Sequence, residues 1–170
     1  MSRVLITGGL GFVGSNLAMS FLKKGHKLLL FDNLSDPSGG AAKNRLYLLQ
    51  QCKRDFDKGN LKLIRGDVRD LELLRKAVKD VDVIIHTASQ VAMVPSIENP
   101  KLDFEVNAIG SFNVLEAARL SNMDPILGYT STNKVYGTLE DVPLVEKKLR
   151  WDYLAGSKYY GGISEDHPLG

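Results

Sequence analysis

The feature that most constrains this chain is a glycine-rich turn between an apolar run and an amphipathic segment. Val4-Leu5-Ile6-Thr7 is short, apolar and β-prone, and it leads straight into Gly8-Gly9-Leu10-Gly11-Phe12-Val13-Gly14. From Phe12 to Lys24 the apolar residues Phe12, Val13, Leu17, Ala18, Phe21 and Leu22 recur at helical spacing, and Gly25 closes the segment as a C-cap. Gly9-x-Gly11-x-x-Gly14 after a strand and opening a helix is the setting in which this motif carries meaning. The same stretch also reads Gly8-x-x-Gly11-x-x-Gly14. Glycine admits the tight positive-φ turn. It removes the Cβ that would keep a pyrophosphate away, and at Gly14 it lets helix and strand pack closely. Unpaired N–H groups and the positive end of the helix dipole then face an anion.

The remaining pattern repeats strand and helix. Lys27–Phe31, Leu61–Arg65, Val81–His86 and Ile126–Thr130 read as strands, and Ala41–Arg54, a segment through Val78 capped by Asp70, and Lys101–Leu120 read as helices. Ser35–Gly40 reads as a loop, as does the stretch after His86 that holds Pro95 and runs to Pro100. The strand runs are apolar throughout, as strands buried on both faces should be. The expected fold is α/β, an NAD(P)-binding Rossmann fold: a doubly wound parallel sheet of about five strands in the order 3-2-1-4-5. Residues 1–137 are expected to form this domain, and 138–170 an irregular tail rich in charge, Gly and Pro.

Composition excludes several classes. With 22 basic and 20 acidic residues among 170, the net charge is +2, and neither a nucleic-acid nor a membrane-surface partner gains support. Apolar runs fall well short of a membrane span. Cys52 alone cannot form an internal disulfide and reads as a small apolar filler, which fits a reducing, cytoplasmic setting. His, Cys, Asp and Glu show no metal-ligand spacing.

Asp32 closes the second strand, where a carboxylate can hold both hydroxyls of an adenosine ribose and repel a 2′-phosphate. Asn33-Leu34-Ser35-Asp36 supplies no Arg for such a phosphate, so NAD is favoured over NADP. The plainer role for Asp32 is a turn cap.

Five segments together resemble the extended short-chain dehydrogenase/reductases, the NAD-dependent nucleotide-sugar epimerases and dehydratases. They are Thr7–Gly14, Phe31-Asp32-Asn33-Leu34-Ser35, Gly66-Asp67-Val68-Arg69-Asp70, His86-Thr87-Ala88-Ser89-Gln90 and Tyr129–Gly137. Thr132-Asn133-Lys134-Val135-Tyr136-Gly137 and Gln90-Val91-Ala92-Met93 are most similar to the CDP-paratose (CDP-tyvelose) 2-epimerase branch. The resemblance implies roles by position. Gly8, Gly11, Phe12, Val13 and Gly14 would meet the pyrophosphate, and Asp32, Asn33 and Ser35 the adenosine ribose. Asp67 would accept from the adenine amino group with Val68 beside the ring, or simply cap a helix. Ala88 and Ser89 would line the nicotinamide side, and Asn107 would tie down nearby backbone. Gln90, Thr132 and Asn133 would approach a nucleotide-sugar substrate, a CDP-sugar by the branch resemblance, with Thr132 bonding the reacting hydroxyl. On residue type alone, Thr132 is a strand-end hydroxyl satisfied by backbone, and His86 a core or strand-end histidine.

The family oxidises a sugar carbon transiently, using a tyrosinate whose pKa is lowered by a lysine four residues on. Four residues after Tyr47, Tyr129, Tyr136, Tyr153, Tyr159 and Tyr160 stand Gln51, Asn133, Glu140, Ser157, Ile163 and Ser164, so the pair is absent from this sequence. Ser164–Leu169 resembles the family's stretch just before that pair. The expectation is therefore an N-terminal part lacking the catalytic helix, inactive alone, that forms a homodimer or needs a complementing C-terminal part. The alternatives are a non-catalytic NAD-binding module or one half of a split enzyme. A 4-epimerase or a 4,6-dehydratase ranks lower, the latter because Asn133-Lys134 replaces the Asp-Glu of that subclass.

Overall fold

The computed structural model describes residues 1–35 and 40–169, and the chain divides into two compact units, Met1–Thr130 and Ser131–Gly170. In the first, five parallel strands form one sheet: β1 (Arg3–Thr7), β2 (Lys27–Asp32), β3 (Leu61–Arg65), β4 (Val83–His86) and β5 (Ile126–Tyr129). Their order is β3-β2-β1-β4-β5, as the alternating pattern implies. Thr7 pairs with Phe31 on one side and His86 on the other, so β1, β2 and β4 finish level with one another. The crossovers leave β1 in opposite directions, and the crevice between them opens at these carboxyl ends.

Alternation along the strands feeds two cores. Val4, Ile6, Leu28 and Leu30 pack on one face with Ala18 of α1 (Phe12–Lys23) and with Ala41 and Leu48 of α2 (Gly40–Gln51). Leu5, Phe31 and Ile84 pack on the other with Leu74 of α4 (Leu71–Ala77) and with Val114 and Ala117 of α7 (Gly110–Arg119). Asp70 caps α4 by accepting from Leu73 N at 2.9 Å.

Four elements differ from the sequence expectation, each for a local reason. The helix expected over Ala41–Arg54 breaks at Cys52, where a separate α3 (Lys53–Asp57) starts and the buried thiol lies 3.2 Å from Met19 Sδ. The loop through Pro95 contains α5 (Met93–Glu98). Pro95 is its third residue, in the first turn, where a missing N–H costs no helical bond. The helix of Lys101–Leu120 is compound: α6 (Pro100–Phe104), a π-helical segment Glu105–Ile109, then α7. Finally, the tail is not wholly irregular. Within the second unit, β6 (Leu144–Glu146) pairs antiparallel with β7 (Trp151–Tyr153). Lys147 and Arg150 both donate to Asp152 Oδ2, at 2.8 and 2.9 Å, pinning the turn between strands too short to show a period. These two cations, Lys147 first, hold the Asp152 carboxyl down to about 2. Of the Ser35–Gly40 loop, 36–39 lie outside the described residues.

Candidate functional site

The turn after β1 leaves no room for a Cβ at Gly8 or Gly14. Gly8 has φ +62°, and a Cβ there would stand 2.8 Å from Ala88 Cα. A Cβ on Gly14 would collide with Gly8 O and reach within 2.8 Å of Gly9 Cα. Gly8 N donates to Phe31 O at 2.8 Å, and Gly11 N to Gly8 O at 2.9 Å. Gly11 is the N-cap of α1 and brings no side-chain cap bond to this helix end. The first N–H groups of a helix have no intrahelical partner, so the head of α1, with Phe12 83% exposed, presents them outward.

On the β2–β3 side the groups are charged. Asp32 is buried; its Oδ2 accepts from Leu10 N at 3.0 Å and its Oδ1 from Leu34 N at 2.8 Å. It thus caps the turn and fastens the glycine loop, while each oxygen keeps a further lone pair for a hydroxyl donor. Asn33 donates to Asp67 Oδ2 at 3.0 Å, and its own Oδ1 accepts from Ser35 N at 3.0 Å. Asp67 also receives Arg69: N and Nε on Oδ1, both at 3.0 Å, and Nη2 on Oδ2 at 2.9 Å. With four donors on two oxygens, an adenine amino group would have to displace one of them. The Arg69 bonds, outweighing partial burial, hold the Asp67 carboxyl down to about 2. Val68 is buried in the core, and its carbonyl accepts from Asn113 Nδ2 at 3.0 Å. Asn113 also donates to Arg69 O at 3.1 Å, so one buried amide of α7 fixes this loop.

On the β4 side the groups next to the strand are neutral, and Asp103 lies behind them, its Oδ1 accepting from Asn107 Nδ2 at 3.1 Å and from Ser96 Oγ at 2.7 Å. Ala88 N donates to Thr7 Oγ1 at 3.3 Å, and Ser89 is exposed. Asn107 grips the Gln90 backbone at two points, accepting from its N at 2.8 Å and donating to its O at 3.1 Å. The Gln90 side chain turns into its own loop, donating to Ala92 O at 2.8 Å and Ser96 Oγ at 3.1 Å and accepting from Ala92 N at 3.2 Å. His86, 2% exposed, bonds Thr7 Oγ1 through Nδ1 at 2.6 Å and Ser111 Oγ through Nε2 at 3.0 Å. Burial pulls its imidazole from 6.5 to about 4. Thr7, Ser111 and Asn113 were not singled out from sequence. Their signal is a polar residue at a core-facing position of an otherwise apolar strand or helix.

In the second unit, the exposed Thr132 accepts from Lys134 N at 3.2 Å and caps the 3-10 turn Asn133–Tyr136. The Asn133 side chain lies outside the described residues. Among the described residues, no group of three or more His, Cys, Asp and Glu is placed to hold a metal ion, and no helix is long and apolar enough to cross a membrane.

The strand order, the turn closed to a Cβ at Gly8 and Gly14 and the buried aspartate at the tip of β2 define a dinucleotide-binding α/β domain. The GDP-mannose 4,6 dehydratase family profile matches residues 5–153, and the chain belongs to that family of nucleotide-sugar epimerases and dehydratases. The chain is 42% identical over 151 residues to a CDP-paratose 2-epimerase of Salmonella typhi, covering 88% of this chain and 42% of that protein. It resembles the solved structure of an epimerase from Methanothermobacter thermautotrophicus with TM-score 0.63 and 30% identity, covering 84% of this chain and 38% of the other. It also resembles the NAD complex of Thermus thermophilus UDP-glucose 4-epimerase, with TM-score 0.63 and 26% identity, covering 99% and 44%. The chain spans roughly two fifths of the length of these relatives.

Proposed function

We propose that this chain is the NAD-holding part of a nucleotide-sugar epimerase that acts on a CDP-sugar by transient oxidation, and that it does not turn over alone. The observation that carries the reading is the turn in which Gly8 and Gly14 leave no space for a Cβ. Such a cradle lets a pyrophosphate approach the backbone closely. Backbone N–H groups of Phe12, Val13 and Gly14 would hold it, while Gly8 and Gly11, joined by their own hydrogen bond, shape the turn beneath it. Asp32, Asn33 and Ser35 would take the adenosine ribose, Asp67 and Val68 the adenine, and Ala88 and Ser89 the nicotinamide side. When bound, NAD would supply the acceptor that takes up a hydride from the sugar and returns it.

Asp32 supports NAD over NADP, because its buried carboxylate would meet a 2′-phosphate with like charge. Thr132, Asn133 and Gln90 are the substrate-facing candidates, Gln90 once its amide leaves the bonds to Ala92 and Ser96. The CDP-sugar assignment rests on the Salmonella typhi relative and on Thr132-Asn133-Lys134. Inactivity alone rests on the missing Tyr-x-x-x-Lys pair, which also keeps a non-catalytic NAD-binding module as the second reading. Phe104, Phe112 and Leu115, each more than half exposed on α6–α7, support a second copy or a complementing chain as partner. Sedimentation as a stable monomer would count against that partner.

Thermal denaturation with each cofactor tests the binding claim. NAD is expected to raise Tm in proportion to its saturation, and NADP to do so far less. Equal stabilisation by both would overturn the role of Asp32. Chromatographic assay of CDP-sugars with NAD should show no C2 epimer from the chain alone. Turnover would overturn the claim of inactivity.

A further inference from the structure

The loop Ala88–Gln90 is held at both ends, and both anchors meet at one buried side chain. At the near end, Ala88 N is bonded by Thr7 Oγ1. At the far end, Asn107 grips Gln90. Thr7 bonds His86 directly at 2.6 Å, and Asn107 reaches it through Ser111, whose Oγ lies 2.6 Å from Asn107 O and 3.0 Å from His86 Nε2.

Counting protons gives this chain a direction. A carbonyl only accepts, so Ser111 spends its single proton on Asn107 O. It must then accept from His86, which places the ring proton on Nε2. Nδ1 is left with a lone pair, and Thr7 Oγ1 donates to it while accepting from Ala88 N. Every hydroxyl and ring nitrogen is satisfied in one arrangement, and a neutral ring is the one that fits. Asn107 lies in the π-helical segment, where Gly110 N reaches back to Glu105 O. Such insertions in helices recur at functional sites.

We infer that His86 is a positioning residue: as a neutral Nε2–H imidazole it braces Thr7 against Ser111 and Asn107, and so fixes the Ala88–Gln90 loop beside the glycine turn. That this loop receives the nicotinamide half of NAD rests on the proposed function above; the brace itself does not.

The test therefore begins without ligand. Long-range 15N–1H correlation on the intact chain is expected to show His86 as the Nε2–H tautomer at neutral pH. The Nδ1–H tautomer or a charged ring would overturn the brace. Ser111→Ala is expected to speed hydrogen exchange at the Gln90 amide by about tenfold, the worth of one hydrogen bond, with the core amides of α7 unchanged. Unchanged Gln90 exchange would overturn it, and Ser111→Thr, which keeps the hydroxyl, should restore protection. The functional half is read from the ratio of NAD to ADP-ribose affinity. In Ser111→Ala, NAD should weaken severalfold while ADP-ribose holds within about twofold. Equal weakening of both ligands, or of neither, would contradict a role at the nicotinamide side. If the parent chain binds neither ligand, the proposed function fails, while the tautomer and exchange results still decide the brace.

Discussion

The two sides of the glycine turn are held by different chemistry. On the β2–β3 side, the carboxyl groups of Asp32 and Asp67 are the anchors, with Arg69 also paired to Glu105 at 3.0 Å. On the β4 side, Thr7, His86, Ser111 and Asn107 are neutral groups in one chain, whose outer end at Asn107 donates to the Asp103 carboxylate. The Arg69–Asp67 pair is partly solvated, with Arg69 39% exposed, whereas Asp32 and His86 are buried at 8% and 2% exposed. Around the Arg69–Asp67 pair water can replace a lost partner; around buried Asp32 and His86 it cannot. The two sides also respond to acid in different windows.

The largest effect should come from the turn that both sides share. Gly14→Val forces a Cβ into Gly8 O, and NAD affinity should fall by more than about 100-fold in calorimetric titration. Retained affinity would show that the turn is not the cradle. Acid titration comes next. His86 has its ordinary value of 6.5 when unfolded and about 4 when folded, so the unfolded chain takes up its proton first. Stability from keeping it neutral is intact above 6.5 and is lost as pH falls toward 4, amounting to about 3 kcal/mol in urea denaturation. The groups facing it, Thr7 and Ser111 hydroxyls and the Tyr129 ring at 5.6 Å, offer no carboxylate to offset the cost. Asp67, lowered from 3.8 to about 2, keeps its contribution down to 3.8 and loses it only below that. Acid unfolding confined to the lower window would remove the contrast.

Asp32→Asn leaves one oxygen for two backbone donors, Leu10 N and Leu34 N, and should cost about 2 kcal/mol while narrowing the preference for NAD over NADP. A neutral result in both readouts would reduce Asp32 to a dispensable cap. The smallest effect is expected at Arg69→Ala, below about 1 kcal/mol, because the guanidinium is more than a third exposed and Asp67 is itself only partly buried. Freed of Arg69, Asp67 regains acceptor positions, so NAD should bind the variant no more weakly than the parent. A large loss would place Arg69 itself on the cofactor.

This contrast explains what was legible beforehand. Gly8 to Gly14 announced strand, turn and helix because glycine and an apolar run each restrict the backbone locally. Asp32 was legible because a carboxylate closing an apolar strand needs a reason. The order of the five strands followed from alternation and handedness. The neutral brace left a weaker trace. Ser111 and Asn113 are ordinary helix residues until tertiary contact brings Ser111 to His86 and Asn113 to the Val68 and Arg69 carbonyls. The π-helical segment likewise has no composition of its own, and α5 was hidden by Pro95, whose first-turn placement sequence alone does not reveal. The β6–β7 hairpin escaped because three residues per strand show no period.

The central claim is that the turn and its two flanks together hold NAD. Titrating NAD into the 15N-labelled chain measures it most directly. Amide shifts are expected to concentrate at Gly8–Gly14, Asp32–Ser35 and Ala88–Gln90, with NADP moving them less. Shifts absent from the turn, or gathered instead on the outer faces of α4 and α7 around Arg75, Lys79 and Leu120, would contradict it.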